Sequence, residues 1–166
     1  MTSEIARWFA AAIAAIVLQS TIAPAVSIFG ISPDLILLFL FFVSIRYGIL
    51  AGIIIGFALG LWQDVSSVSP LLGQNALAKT LCGGLFGIFN DRAMRTDILV
   101  KGGLLFLGFA LHDLVFNSAG FMRLGKPLAP AFLLLVIRTL PTALYTVLVA
   151  ALGFFGISIL QSGLRR

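Results

Sequence analysis

Asp34, Asp64, Lys79, Asp113 and Arg138 lie within long apolar runs or at their ends. Three acids and two bases in such surroundings can pair with one another, line a wet pocket, or present charge to a partner. Facing lipid unpaired, each would cost roughly 2.5–3.5 kcal/mol or more. They are therefore expected to face the interior or an outward cavity, with Lys79 or Arg138 paired to Asp64 or Asp113. His112-Asp113 has the composition of a proton relay, but adjacent helical residues point about 100° apart. His112 is read instead as hydrogen-bonding a neighbouring helix. Gln74 and Asn75 read as caps or interhelical hydrogen bonds, and Cys82 as a small packing residue. A single cysteine makes no disulfide within the chain, and no Cys/His metal spacing is present. No phosphate loop, H-E-x-x-H or G-x-S-x-G motif occurs. The expectation is a protein that is not an enzyme and takes no cofactor or metal.

The elements that must position these residues are membrane helices. Of 166 residues, 60% are hydrophobic and 10% charged, with mean hydropathy +1.13. A soluble domain carries about 25% charged residues, and a disordered chain is less hydrophobic still. Six spans of roughly 20 residues would occupy about 120 positions and leave no room for a soluble catalytic domain. The formal charge is +5. The basic residues sit singly at the ends of apolar runs, a pattern that points to topology signals and anionic lipid, not nucleic acid.

One polytopic domain over residues 1–166 is expected, an all-α bundle of six transmembrane helices. The spans read as about 5–22, 33–46, 47–63, 71–89, 98–118 and 130–160. The first is taken as retained and not a cleaved leader; its Ala6, Ala10 and Ala14 would allow close helix approach. Pro24 and Gly30 break the chain, and residues 24–32 are compatible with a re-entrant turn. Ser32-Pro33-Asp34 then opens the second span, with Ser32 as N-cap, Pro33 at the first helical position and Asp34 against the positive helix end. Pro33 to Arg46 covers about 20 Å, short of the ~30 Å hydrocarbon core. In the third span Gly48, Gly52, Gly56 and Gly60 repeat every four residues and Asp64 continues the row. That row is a groove about 18 Å long. It can receive another helix, from this chain or a partner, at a right-handed crossing. Pro141 is expected to kink the long sixth segment.

With the N-terminus inside, Arg7, Arg46, Arg92, Arg95, Lys101, Arg165 and Arg166 lie on the inner side, and Arg123 and Lys126 on the outer. That imbalance favours six spans with both termini cytoplasmic. It also gathers the intramembrane charges in the outer half. Lys79 lies about 12 Å from the outer end of span four, Asp113 about 7 Å into span five, and Arg138 about 12 Å below Pro130. Two readings of this cluster remain open: an ion-pair network that fixes helix packing, or an outward pocket or docking surface. Trp8 and Trp62 read as anchors at opposite interfaces.

Several segments in order carry a resemblance. Pro33-Asp34-Leu35 leads into an apolar helix. A glycine-rich helix ends in Gly56-Phe57-Ala58-Leu59-Gly60-Leu61-Trp62-Gln63-Asp64. A Ser/Pro loop follows, and then Leu72-Gly73-Gln74-Asn75-Ala76-Leu77. This order resembles the MreD family of bacterial rod-shape-determining membrane proteins, best over about residues 33–89. The resemblance implies a cytoplasmic-membrane protein beside the bitopic protein MreC. It would help to connect actin-like MreB filaments to the peptidoglycan synthase pair of RodA and its class B penicillin-binding protein. It also implies a fold similar to the substrate-binding subunits of energy-coupling-factor vitamin transporters, whose alanine docking motif the Ala6/Ala10/Ala14 row resembles. Capture of a small polar metabolite for such a transporter is therefore the alternative function.

Overall fold

A computed structural model describes residues 2–27, 32–67, 72–89 and 98–123, with Leu133, Ile137, Pro141, residues 144–146 and Leu148. Its elements are α1 (Thr2–Ala25), α2 (Leu35–Tyr47), α3 (Ile49–Ser66), α4 (Gln74–Ile88) and α5 (Ile98–Arg123). All regular structure among the described residues is helical. Among the described residues, three helices are long and apolar enough to cross a membrane, over Ala6–Ala25, Ile49–Ser66 and Leu99–Ala119. Helix α2 is apolar but has 13 residues, so it is the short helix expected, about 20 Å long. The sixth apolar segment, including Arg138, lies outside the described residues apart from the positions named above, as do residues 28–31 of the segment 24–32 read as compatible with a re-entrant turn.

Local chemistry sets the boundaries. Helix α1 runs past the expected end at Ile22 and carries Pro24 in its last turn. Helix α2 is capped by Asp34 and not by Ser32. The Asp34 backbone is extended, and its Oδ1 accepts the Leu37 N–H at 2.8 Å. An aspartate reaches the N3 amide of the first turn directly, so the cap falls two residues later than expected. Gly48 separates α2 from α3 with φ 85° and ψ −171°, a conformation open essentially to glycine alone. It thus forms the joint before α3 and is not the first turn of its glycine row. Helix α4 starts at Gln74, three residues later than expected, because Gly73 adopts φ 97° in the left-handed region.

The core sits where α2, α4 and α5 meet. Leu37, Leu40, Phe41 and Ile45 recur at helical spacing and pack with Cys82, Phe86, Leu104, Leu105 and Phe109. The Phe41 and Phe86 rings meet edge to face at 5.1 Å, a favourable aromatic geometry. Phe86 lies against Gly108 of α5, whose carbonyl accepts from the Cys82 thiol at 3.3 Å. Cys82 is fully buried, in the packing role expected of it. The outer surfaces of the described helices are rich in exposed Leu, Ile and Phe, as a lipid-facing surface requires.

Candidate functional site

The site begins with the α3–α4 seam. Gly52 backs onto the main chain of Gly83, Gly56 onto that of Lys79, and Gly60 onto that of Asn75 and Ala76. At the far end Gly87 lies against Gly48 and Ile49. The helices therefore run antiparallel, close enough that a Cβ at Gly52, Gly56 or Gly60 would collide with opposing backbone. Such approach is what small residues permit within a membrane. The groove read from the glycine row is filled by α4 of the same chain.

Asp64 ends this row and completes the seam. Gly73, the N-cap of α4, has no side chain with which to accept the first amides of the helix. Asp64 supplies the acceptors from α3. Its Oδ2 takes the N–H groups of Gly73 at 2.9 Å and Ala76 at 3.0 Å. Its Oδ1 takes the Asn75 N–H and the Asn75 Nδ2, both at 3.0 Å. The carboxylate is 1% exposed. Four donors and the positive end of α4 compensate its burial. Asp64 is thus a cap and not the partner of Lys79 that its depth suggested.

Lys79 takes a different acid. Its fully buried ammonium donates to Asp34 Oδ2 at 2.7 Å and to His112 Nε2 at 3.3 Å. Lysine has no acceptor, so His112 Nε2 accepts and the ring proton falls on Nδ1. Nδ1 faces Asp113 Oδ1 at 3.4 Å. The ring also stacks on Phe116, with centroids 6.0 Å apart and planes at 11°. His112 bonds a neighbouring helix, as expected. The pairing of Lys79 with Asp64 or Asp113 is corrected to Asp34, because the short α2 starts level with the second turn of α4.

Further bonds tie the start of α2 down. Asp34 N–H donates to Thr146 Oγ1 at 3.3 Å, and Leu35 N–H donates to Gln19 Oε1 of α1 at 2.7 Å. Gln74 Nε2 reaches the Phe116 carbonyl at 3.4 Å, an interhelical bond of the expected kind. Thr146 and Gln19 were not singled out from the sequence. Gln19 had a signal, a polar residue within an apolar span; Thr146 had none that distinguishes it from other membrane threonines.

Asp34, Lys79, His112 and Asp113 form one linked polar chain across α2, α4 and α5, and Asp64 caps α4 close by. Arg138 lies outside the described residues. The arrangement neutralises charge and fixes helix ends against one another. Among the described residues no three His, Cys, Asp or Glu side chains are grouped to hold a metal. No curated protein and no solved structure matches the chain. A family model described as rod shape-determining protein MreD matches residues 2–160.

Proposed function

The chain belongs to the MreD family of rod shape-determining proteins, and on that premise we propose that it is a non-enzymatic membrane scaffold of the bacterial cell-elongation complex. Its place in rod-shape determination follows from the family. In the proposed reading it is a single polytopic domain of six spans in the cytoplasmic membrane, with both termini inside. It binds an MreC-like bitopic protein directly, and through it MreB filaments and the RodA/penicillin-binding-protein synthase. The energy-coupling-factor-like fold belongs to this proposal as well.

The observation that carries the scaffold reading is the use made of the interior charges. Lys79 is fully buried and engaged by Asp34, and Asp64 is engaged by the start of α4. Buried groups satisfied by one another build a rigid body. A capture site would instead hold such groups at the wall of a cavity, aimed at a ligand. Among the described residues the exposed surface is mainly apolar helix, the kind of surface a bitopic protein's single span can meet within the bilayer.

Affinity isolation of the full chain, co-expressed with the MreC-like protein of its own cell, tests this. The expected result is stoichiometric co-isolation of the bitopic protein, with rod shape lost on depletion of the chain. Native mass spectrometry of the isolated protein tests the alternative. A stoichiometric small polar ligand without any bitopic partner would overturn the scaffold reading in favour of metabolite capture.

A further inference from the structure

A groove of about 450 Å³ lies between α1 and α3 over α2, lined by Trp8, Phe39, Val43, Tyr47, Ala58 and Leu59 among others, all apolar or aromatic. From Tyr47 to Phe39 it follows α2 for about 12 Å. The hydrocarbon depth of one leaflet is about 15 Å, half the ~30 Å core. The groove therefore starts at one end of the bundle and stops near its middle.

Its mouth differs from its walls. Trp8 and Tyr47 meet there with ring centroids 5.7 Å apart, and aromatic rings of this kind settle at headgroup level. Each follows an arginine in sequence, Arg7 and Arg46. Both arginines are exposed. Arg46 reaches Glu4 of α1 at 3.5 Å with its side chain 51% exposed, a loose surface pair worth little by itself. Arg7 lies three residues from Glu4 on α1 and so on the same face of that helix; two arginines against one glutamate leave a net positive charge at this end of the apolar slot.

We propose that this groove is a binding site for one acyl chain of an anionic phospholipid, whose phosphate lies at Arg46 and Arg7. The charge complementarity selects an anionic headgroup, and the apolar walls exclude a free phosphate. The shape selects a chain. A volume of about 450 Å³ over ~12 Å is a section of roughly 40 Å², about half that of a helix 10 Å across. The site lies at the opposite end of α2 from Asp34 and is independent of the scaffold reading.

Trp8 reports on the site directly. Full-length protein carrying Trp62→Phe has Trp8 as its single tryptophan and is reconstituted in vesicles containing lipids brominated on the acyl chain. At equal mole fraction, brominated phosphatidylglycerol is expected to quench Trp8 as though bound roughly fivefold more tightly than brominated phosphatidylcholine, the effect of one net charge near the surface. The preference should shrink with added salt and vanish in Arg46→Gln/Arg7→Gln, whose changes are confined to exposed side chains. Ala58→Phe should reduce quenching by both lipids. Equal quenching by the two lipids would overturn the proposal, as would a preference that survives loss of both arginines. Protection of Trp8 from both lipids would mean that a protein segment or second copy fills the groove, and would overturn it as well.

Discussion

Lys79→Met is the substitution that tests the buried polar chain most directly. Methionine keeps the length and flexibility of the lysine stem and removes the ammonium. It leaves Asp34 Oδ2 and His112 Nε2 without the donor that each now has at 2.7 and 3.3 Å. Removing one partner of a buried pair costs about 3–5 kcal/mol. For a chain of 166 residues each kcal/mol moves Tm by about 2–4 °C, so the expected fall is roughly 6–20 °C. Asp34→Asn in the same chain should restore much of this. Asparagine caps a helix about as well as aspartate, so the Leu37 contact survives while the unpaired charge disappears. The double variant is expected within about 1–2 kcal/mol of the parent, well short of the sum of the two single losses, because each single variant leaves the other member of the pair unmatched. The assay is thermal unfolding of the full chain in detergent, followed by circular dichroism, for the parent, both single variants and the double. A Lys79→Met protein melting within about 2 °C of the parent would refute the reasoning. So would a double variant whose loss equals the sum of the single losses.

The same assay checks three further expectations. Gly52→Ala and Gly56→Ala place a Cβ against opposing backbone and should each cost about 1–3 kcal/mol or more, whereas Gly102→Ala, with open space around it, should be neutral or up to about 1 kcal/mol stabilising. Asp64→Ala removes the acceptor of four donors and should cost upwards of about 3 kcal/mol, with Asp64→Asn falling between it and the parent because the amide keeps one acceptor oxygen. Gly73→Ala meets no neighbour yet sits at φ 97°; it should cost about 1–2 kcal/mol, and Gly73→Asn should cost less than Gly73→Ala because asparagine tolerates the left-handed region.

The long apolar helices were legible in the sequence because hydropathy is a sum over many residues, and so survives ignorance of any single contact. The shortness of α2 was legible because Asp34 and Arg46 bracket its apolar run. The glycine row announced a helix seam, since a four-residue repeat without side chains has little other use in a membrane. The partner of that seam was not legible, because both α4 and a foreign helix satisfy the same spacing. Pairing failed for a related reason. Depth along a helix axis placed Asp34, Asp64, Lys79 and Asp113 at one end, but depth carries no rotation about the axis. Lys79 therefore had three acids at similar height. The structure selects Asp34 because Asp64 is turned toward the bare amides of α4, a demand created by Gly73. That demand is itself readable: a glycine N-cap leaves first-turn donors that something else must satisfy.

The glycine repeat and the charges are not independent features. Lys79 belongs to both: its main chain packs on Gly56 while its ammonium reaches Asp34. A repeat of four glycines makes close approach possible but does not fix where along α3 the partner helix stops. Sliding α4 by four residues, about 6 Å, would bring Gly83 opposite Gly56 and Lys79 opposite Gly60, and the backbones could still touch. The nonrepeating residues forbid it. The slide would carry Lys79 a full turn away from Asp34 and His112, and it would set Asp64 beside the second turn of α4, where the amides from Leu77 onward are already bonded within the helix. Setting the register of packed helices is the best-attested use of buried polar groups. The glycines therefore bring α3 and α4 together, and Asp64 and Lys79 decide the single register in which they rest. For a protein whose proposed task is to hold partners in fixed relation, one register is the property that matters.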